Sequence, residues 1–251
     1  MNRTPLALFL IPLLVGCPGE VTEVFVTGVV LDEPYFEGQP VVGVEVTSLD
    51  GDLLPYGSAT SDASGMVELP VAAGQDMFIE LRGDGLTPTL FAGEAGIFNL
   101  ALSDGELYTL PDTRAAELVE EFGDCAGDGT GGIIEGEVRI WMLGEETSDL
   151  SLVGNAWVMV YGENNEAFTP CYLDAEGNPA PEDQFLTNTT ARFAVFGLPD
   201  DSYVLEVAYR PGGTSEDTDE SDLDVYTWYY KANMVDGGIA PFHPAWVEFA
   251  G

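Results

Sequence analysis

Short runs of β-branched and aromatic residues follow one another from Val24 onward. The first four occupy positions 24–30, 41–46, 66–69 and 77–81, and Gly, Pro and Asp residues separate them. Runs of this length and composition predict β-strands. Because no helical period lies between them, the pattern favours antiparallel β-sandwiches over an α/β architecture.

One segment has the period of an amphipathic helix. Positions 112–122 place apolar residues at three- and four-residue spacing, and Asp112 is the predicted N-terminal cap. The helix is expected to end at Gly123, and the Asp- and Gly-rich positions 124–132 form a linker. The predicted buried face is Ala115, Leu118, Val119 and Phe122.

Three glycines at 127, 129 and 132 have the spacing of a dinucleotide-binding fingerprint. In a dinucleotide-binding domain, that fingerprint follows a strand and lies at the start of a helix. Here the glycines follow the predicted helix and precede a predicted strand, so no such cofactor is expected.

The strand pattern begins again after the linker. The triplet at 28–30, Gly-Val-Val, has a counterpart in Gly-Glu-Val at 136–138, a separation of 108 positions. Since 108 residues is a domain length, the repeat indicates duplication of a domain. We therefore predict a first sandwich over 24–111, a helix and linker over 112–132, and a second sandwich over 133–251. The second copy has a longer loop over 154–187, which is a candidate binding element.

Three motifs in the first copy resemble those of the carboxypeptidase regulatory-like domain. They are Gly-x-Val, then Pro-Val-x-Gly-Val-x-Val, then Thr-x-Asp-x-x-Gly-x-x-x-Leu, and positions 196–207 are similar to the strand pair that ends many such domains. The resemblance implies a transthyretin-like (prealbumin-like) β-sandwich and says little about function. The second copy departs from the pattern: it has Thr190 and Ala191 in place of the Asp-x-x-Gly turn, and Asp201 in place of a glycine.

The N-terminus has the pattern of an export signal. Arg3 precedes an apolar run over 6–15, about half the roughly twenty residues that span a bilayer. The run ends in Gly16 and Cys17, which resembles a bacterial lipoprotein signal. The resemblance implies cleavage after residue 16, acylation of Cys17, a tether over 17–23, and a lipid-anchored protein of the bacterial cell envelope. The outer membrane or cell surface is favoured over the inner membrane; the alternatives are a free Cys17 and an uncleaved anchor.

Charge and histidine content exclude several classes of function. The chain has 44 Asp and Glu against 7 Lys and Arg, a net charge of -37 that repels phosphate backbones and so excludes nucleic-acid binding. Its single histidine, His243, cannot supply the two histidines of a zinc carboxypeptidase, and no Gly-x-Ser-x-Gly motif is present. We expect His243 to pack beside Trp246 and the protein to be non-catalytic.

Cys125 and Cys171 remain once Cys17 is assigned to lipid. In an exported protein, two such residues are expected to form a disulfide, here between the linker and the long loop. Free thiols and a redox role are the alternatives.

An acidic stretch near position 220 is a candidate calcium site. Carboxylates at this density suit Ca²⁺, although the spacing is not that of an EF-hand, and a solvated acidic loop is the alternative. The predicted ligands are Asp217, Asp219, Asp222 and Asp224.

The strand that follows is rich in aromatic residues. Tyr226, Trp228 and Tyr230 share one face, which would serve either as a stacking platform for a sugar or peptide, or as part of the core with Tyr229 exposed. Together these features predict a non-catalytic module whose partners are the membrane, through its lipid, and an envelope protein or glycan. The alternative is a calcium- or carbohydrate-binding envelope module.

Overall fold

The structure, a computed structural model, describes residues 23–34, 38–102, 106–142, 154, 156–181, 187, 190–209, 226–235 and 237–249. These residues form eighteen β-strands, one α-helix and one 3-10 helix. The all-β class predicted from the sequence is therefore confirmed.

The first half of the chain forms two facing sheets. In one sheet β1 pairs antiparallel with β4 and parallel with the short β8 and β9; the other is antiparallel in the order β3-β2-β5-β7. Alternate residues of β1 are buried, as expected where one face of a strand covers a core. The strands are β1 (Glu23–Leu31), β2 (Glu45–Leu49), β3 (Pro55–Thr60), β4 (Met66–Ala72), β5 (Asp76–Arg82), β6 (Leu86–Thr87), β7 (Thr89–Glu94), β8 (Leu100–Ala101), β9 (Leu107–Tyr108) and β10 (Leu110–Pro111).

The second half repeats this arrangement. In one sheet β11 pairs antiparallel with β15 and parallel with β18. The facing sheet has the order β13-β12-β16-β17. The strands are β11 (Gly132–Met142), β12 (Ala156–Gly162), β13 (Ala167–Phe168), β14 (Cys171–Tyr172), β15 (Arg192–Leu198), β16 (Ser202–Tyr209), β17 (Tyr226–Asn233) and β18 (Ile239–Phe249).

Equivalent hydrogen bonds relate the two halves. The Val30 amide donates to the Gly65 carbonyl at 2.9 Å, and the Val138 amide donates to the Ala191 carbonyl at 3.0 Å. Both acceptors have positive φ, 75° at Gly65 and 54° at Ala191, so the second copy retains the turn conformation without its glycine. The two halves therefore share strand order and local backbone geometry.

The helix α1 (Arg114–Phe122) begins two residues later than predicted, and a 3-10 helix (Gly123–Ala126) follows it. Asp112 is not the cap, because its amide donates to the Gly85 carbonyl while β10 is still paired with β6. Thr113 is at the N-cap position, and its hydroxyl donates to Glu117 rather than accepting from the backbone. The apolar face is as predicted, since Leu118 and Phe122 are fully buried.

An Asp-x-x-Gly turn that the sequence comparison missed lies inside the long loop of the second half. Asp62 Oδ1 accepts from the amides of Ser64 and Met66 at 2.8 and 3.0 Å. In the same way Asp174 Oδ1 accepts from the amides of residues 176 and 178, at 3.0 and 2.8 Å. The replacement predicted at Thr190 and Ala191 is therefore found before β15, and an Asp-x-x-Gly turn of the same kind occurs elsewhere in the second half, after β14.

These turns favour ionised aspartates. The side-chain and backbone hydrogen bonds from Ser64 lower the pKa of Asp62, and the backbone hydrogen bond from Asn178 lowers the pKa of Asp174. Because each folded-state pKa lies below the ordinary value of 3.8, each group adds stability above that value. That stability is lost as the pH falls through the lowered pKa.

We therefore predict that Asp62→Asn/Asp174→Asn flattens the acid limb of the stability curve. The amide oxygen still accepts the turn hydrogen bonds but does not titrate. The difference in free energy of unfolding between wild type and variant should shrink from pH 6 to pH 2.5 in urea titrations. Asp84→Asn, at an exposed turn, gives the baseline for removing one surface charge, and a pH-independent difference would contradict the prediction.

One sheet continues from one half into the other. β18 pairs with β11 and also meets β7 in parallel, where Ile239 lies opposite Thr89 and its amide donates to the Pro88 carbonyl at 2.8 Å. A shared apolar cluster lies beneath this junction. Its buried members are Leu31, Tyr108, Leu110, Leu118, Phe122, Ala126, Ile133, Cys171, Leu173, Ala194 and Ile239.

The predicted disulfide is confirmed. Cys125 in the 3-10 helix and Cys171 in β14 are bonded, with their Cα atoms 5.8 Å apart. The bond closes a loop of 46 positions, for which chain entropy alone gives about 4 kcal/mol of stabilisation. It ties the segment after α1 to the second sandwich.

A buried carboxylate links α1 to the same sandwich. Glu135 on β11 is 1% exposed and accepts from Arg114 Nε on α1 at 3.0 Å. It also lies 3.4 Å from Arg192 of β15, which pairs in turn with Glu121 on α1. Burial alone would lower the pKa of Arg114, but the hydrogen bond and charge of Glu135 offset this and raise it.

Glu135→Gln should lower the free energy of unfolding by about 3 kcal/mol, since it leaves two partly buried guanidinium groups without their shared carboxylate. The measurement is urea unfolding followed by circular dichroism. Glu120→Gln, at an exposed position on α1, is the control and should change stability by less than about 0.5 kcal/mol. Equal effects of the two substitutions would show that the buried network contributes little.

Candidate functional site

The second sandwich exposes an aromatic face on one of its sheets. In β12 the alternate residues Val158 and Val160 enter the core, so Trp157, Met159 and Tyr161 project from the opposite side. The cross-strand register brings residues of β16 and β17 beside them. We call this surface the outer face; it consists of Trp157, Met159, Tyr161, Val204, Glu206, Thr227, Tyr229 and Lys231.

Three apolar side chains of the outer face are strongly exposed. Trp157 is 37% exposed, Val204 is 41% and Tyr229 is 66%. Single exposed apolar residues are ordinary, but several on the same face of one sheet are typical of an interaction surface. The outer face therefore has the character of a binding surface.

Two of the three aromatic residues predicted from the sequence lie on the other side of β17. Trp228 and Tyr230 are partly buried against the second-half core, and the ring of Tyr230 lies 5.7 Å from that of Phe242. The backbone of Tyr226 is in β17, but its side chain lies outside the described part of the structure. Among the β17 rings whose side chains the structure describes, Tyr229 is the exposed one, as expected if the opposite face packs inward.

Glu206 gives the outer face a hydrogen-bonding centre. It lies opposite Tyr229 in the register and beside Tyr161. Partial burial, followed by the charge and hydrogen bond of Glu206 and the proximity of Tyr229, raises the pKa of Tyr161. The Tyr161 phenol therefore stays protonated and remains a donor at neutral pH.

A cleft of about 220 Å³ lies where the outer face meets the first half of the chain. Asp76 and Phe78 of β5 line one side, and Tyr161, Ser202 and Asn233 line the other. Asn233 is 2% exposed, and its Nδ2 has no hydrogen-bond partner among the described residues. The cleft therefore combines aromatic walls with polar groups at the boundary between the halves.

One ion pair spans this cleft. Lys231 of β17 and Asp76 of β5 both line it and form a salt bridge with each other. Tyr203 also lines the cleft; burial, followed by the charges of Asp201, Glu166 and Asp200, raises its pKa to about 12. Its hydroxyl donates to the Pro199 carbonyl at 2.7 Å. These groups can position a ligand by hydrogen bonding.

Within the described ranges, no three His, Cys, Asp or Glu side chains cluster closely enough to hold a metal ion. The predicted calcium ligands Asp217, Asp219, Asp222 and Asp224, and the predicted lipidation site Cys17, lie outside the described residues. The same is true of the His243 side chain. No helix in the part of the chain that the structure covers has the length and apolar content needed to cross a membrane.

Comparison with known proteins gives no family. No protein-family model matches the chain, and no curated protein matches it. Solved structures with some similarity include the shaft pilin SpaA of Lactobacillus rhamnosus GG, at 9% identity and a TM-score of 0.28, over 91% of this chain and 98% of the pilin. The minor pilin GBS52 of Streptococcus agalactiae has 11% identity and a TM-score of 0.25, over 91% and 97%. The Bacillus anthracis TIE protein has the same identity and score, over 90% of this chain and 35% of that one. At these scores the similarities carry no argument about function.

Sequence reasoning missed the outer face because its residues come from three strands. Trp157 lies in β12, Val204 in β16 and Tyr229 in β17, and only the register brings them together. The alternation of Trp157, Met159 and Tyr161 with valines was the available signal. It shows which residues share a face, but not which residues of other strands lie beside them.

Proposed function

We propose that this chain is a lipid-anchored, non-catalytic protein of the bacterial cell envelope that binds a partner through the outer face. The exposed group of Trp157, Val204 and Tyr229 is the observation that carries the binding proposal. The partner is an envelope protein or a glycan, and the two sandwiches present the binding face. This organisation includes the sequence-based division at residues 24–111 and 133–251.

The lipid anchor is supported by the sequence. The apolar run over 6–15 followed by Gly16 and Cys17 has the order of a lipoprotein signal. Two or three acyl chains hold a protein on a membrane far better than one, because each buried CH₂ adds about 0.8 kcal/mol. The outer membrane or the cell surface is the proposed location.

The composition of the outer face and cleft supports a ligand that is not anionic. The chain carries a net charge of -37, so phosphate-rich partners are repelled. The outer face instead offers flat apolar rings with hydrogen-bonding groups beside them, at Glu206, Tyr161 and the neighbouring Asn233. Partner recognition by such a surface depends on ring contact and hydrogen bonding.

A carbohydrate is the second candidate partner class, and the cleft favours it. A sugar ring presents an apolar face and many hydroxyls, which match the tyrosine walls and the Ser202 and Asn233 side chains. The proposal requires no resident cofactor. Calcium binding by Asp217, Asp219, Asp222 and Asp224 stays a prediction from the sequence.

Cys17→Ser should move the protein from the membrane pellet to the soluble fraction, because the acyl chains are the proposed anchor. The measurement is fractionation of cells that express the full chain, together with the intact mass of the wild-type protein. The wild type should begin at Cys17 and carry the added mass of its lipid. A processed variant that still pellets with membranes would contradict the lipid anchor.

Trp157→Ala/Tyr229→Ala should weaken partner binding about tenfold or more, because truncation of aromatic residues central to an interface costs roughly 2 kcal/mol. Two probes distinguish the partner classes: sedimentation with purified peptidoglycan sacculi for a glycan, and cross-linking in native envelopes for a protein. Tyr56→Ala removes a ring that is 39% exposed on the first sandwich and is the matched control.

Both variants should keep the wild-type melting temperature within a few degrees, since the altered side chains are exposed. If the double variant binds sacculi and forms cross-links as the control does, the outer face is not the binding surface. Selective loss of sacculus binding would favour the glycan, and selective loss of a cross-link would favour the protein.

A further inference from the structure

The loop between β7 and β8 carries two strongly exposed apolar side chains. Ile97 is 69% exposed and Phe98 is 77% exposed. The segment 95–100 contains no charged residue, although the chain as a whole has 44 acidic residues. We call this segment the apolar tip. Ile97 and Phe98 belong neither to a strand nor to the outer face, so neither of these features accounts for their exposure.

The apolar tip lies beside the start of the folded chain. The Phe25 amide donates to Asn99 Oδ1 at 3.0 Å, and Val26 lies opposite Leu100 in a parallel register. Extending that register places Ile97 and Phe98 next to the first residues of β1. The tip is therefore at the end of the first sandwich where the chain enters from Cys17.

The connection from Cys17 to this end is short. Six residue steps separate Cys17 from Glu23, the first residue of β1, and an extended chain of that length reaches at most about 20 Å. A lipid on Cys17 therefore holds the start of β1 close to the bilayer surface. The exposed side chains that share this end of the sandwich are held there too.

We propose that the apolar tip is a second membrane contact, in which Ile97 and Phe98 enter the interfacial region of the bilayer that holds the Cys17 lipid. This inference rests on the proposed lipid anchor. The bilayer surface fits as the occupant for two reasons. The tether length places it within reach, and an uncharged tip approaches a lipid surface with less electrostatic cost than the rest of this acidic chain.

The contact would fix the orientation of the protein relative to the membrane. A lipid anchor attached at one point leaves the domain free to rotate, whereas a second contact removes much of that freedom. Aromatic side chains are favoured at the membrane interface, which suits Phe98. The tip adds orientation to an attachment that the acyl chains already supply.

The test is quenching of an introduced tryptophan by brominated lipids. Phe98→Trp, as the full lipidated protein, is reconstituted in phosphatidylcholine vesicles with or without dibrominated acyl chains. Val42→Trp is the matched control, because Val42 is 61% exposed and its neighbour Val41 hydrogen-bonds to Val30 at the other end of β1. The wild type, with its 4 tryptophans, gives the background signal.

The added fluorescence of Phe98→Trp should shift to the blue and lose half or more of its intensity in brominated vesicles. The added fluorescence of Val42→Trp should change little. Equal quenching of the two variants, or none in either, would overturn the membrane contact. Melting temperatures near that of the wild type establish that both variants are folded.

The intact mass of the same preparations separates the two proposals. Protein that carries lipid on Cys17 but shows no selective quenching of Phe98→Trp retains the anchor and overturns the tip contact. Protein without lipid overturns the anchor. In that case, selective quenching after addition to vesicles would show that the tip binds the bilayer by itself, and its absence would overturn the tip contact as well.

Discussion

The position of α1, the helix that joins the two halves, depends on the buried carboxylate of Glu135. A charged group that is 1% exposed is tolerated only when partners compensate its lost hydration, and Arg114 and Arg192 supply that compensation from two different elements. Arg114 lies on α1, which follows the first sandwich, and Arg192 lies on β15 of the second. Glu135 thus fixes α1 against the second sandwich, and the shared apolar cluster and the disulfide reinforce the same contact.

Positive charge is scarce in this chain, and the described cations are already paired with carboxylates. Each of the five basic residues in the described ranges forms a salt bridge with a carboxylate: Arg82 with Glu80, Arg114 and Arg192 with Glu135, Arg139 with Glu137, and Lys231 with Asp76. Few cations are then left to neutralise the many surface acids. The surface of the protein is therefore strongly acidic, and electrostatic repulsion opposes its approach to anionic surfaces.

The sequence predicted those parts of the fold that depend on local patterns. Alternation along β1 indicated a strand, and the spacing of Leu118 and Phe122 indicated the buried face of α1. The disulfide followed from export and from the number of cysteines left. The helix start was wrong by two residues because β10 pairing and the Asp112 hydrogen bond hold that turn, and neither contact is local in sequence.

Features that combine residues from several strands could not be predicted from local sequence patterns. Glu135 occupies one of many acidic positions, and only its tertiary neighbours distinguish it from a surface carboxylate. The outer face needed the register of three strands. The turn at Asp174 lies after β14 and not at the equivalent position before β15, so the repeat in the sequence does not indicate it. In each case the missing information was which chain segments become neighbours.

The charge distribution explains why two surfaces with exposed apolar side chains carry the proposed contacts. An acidic surface favours solubility and suppresses association with anionic partners, so binding must occur where apolar groups outweigh repulsion. The outer face does this with rings from β12 and β17, and the apolar tip does it with a loop that contains no charge. The two surfaces lie on different halves of the chain. The β7–β18 pairing and the shared apolar cluster that hold those halves together therefore also set the direction in which the outer face points when the apolar tip rests on a membrane.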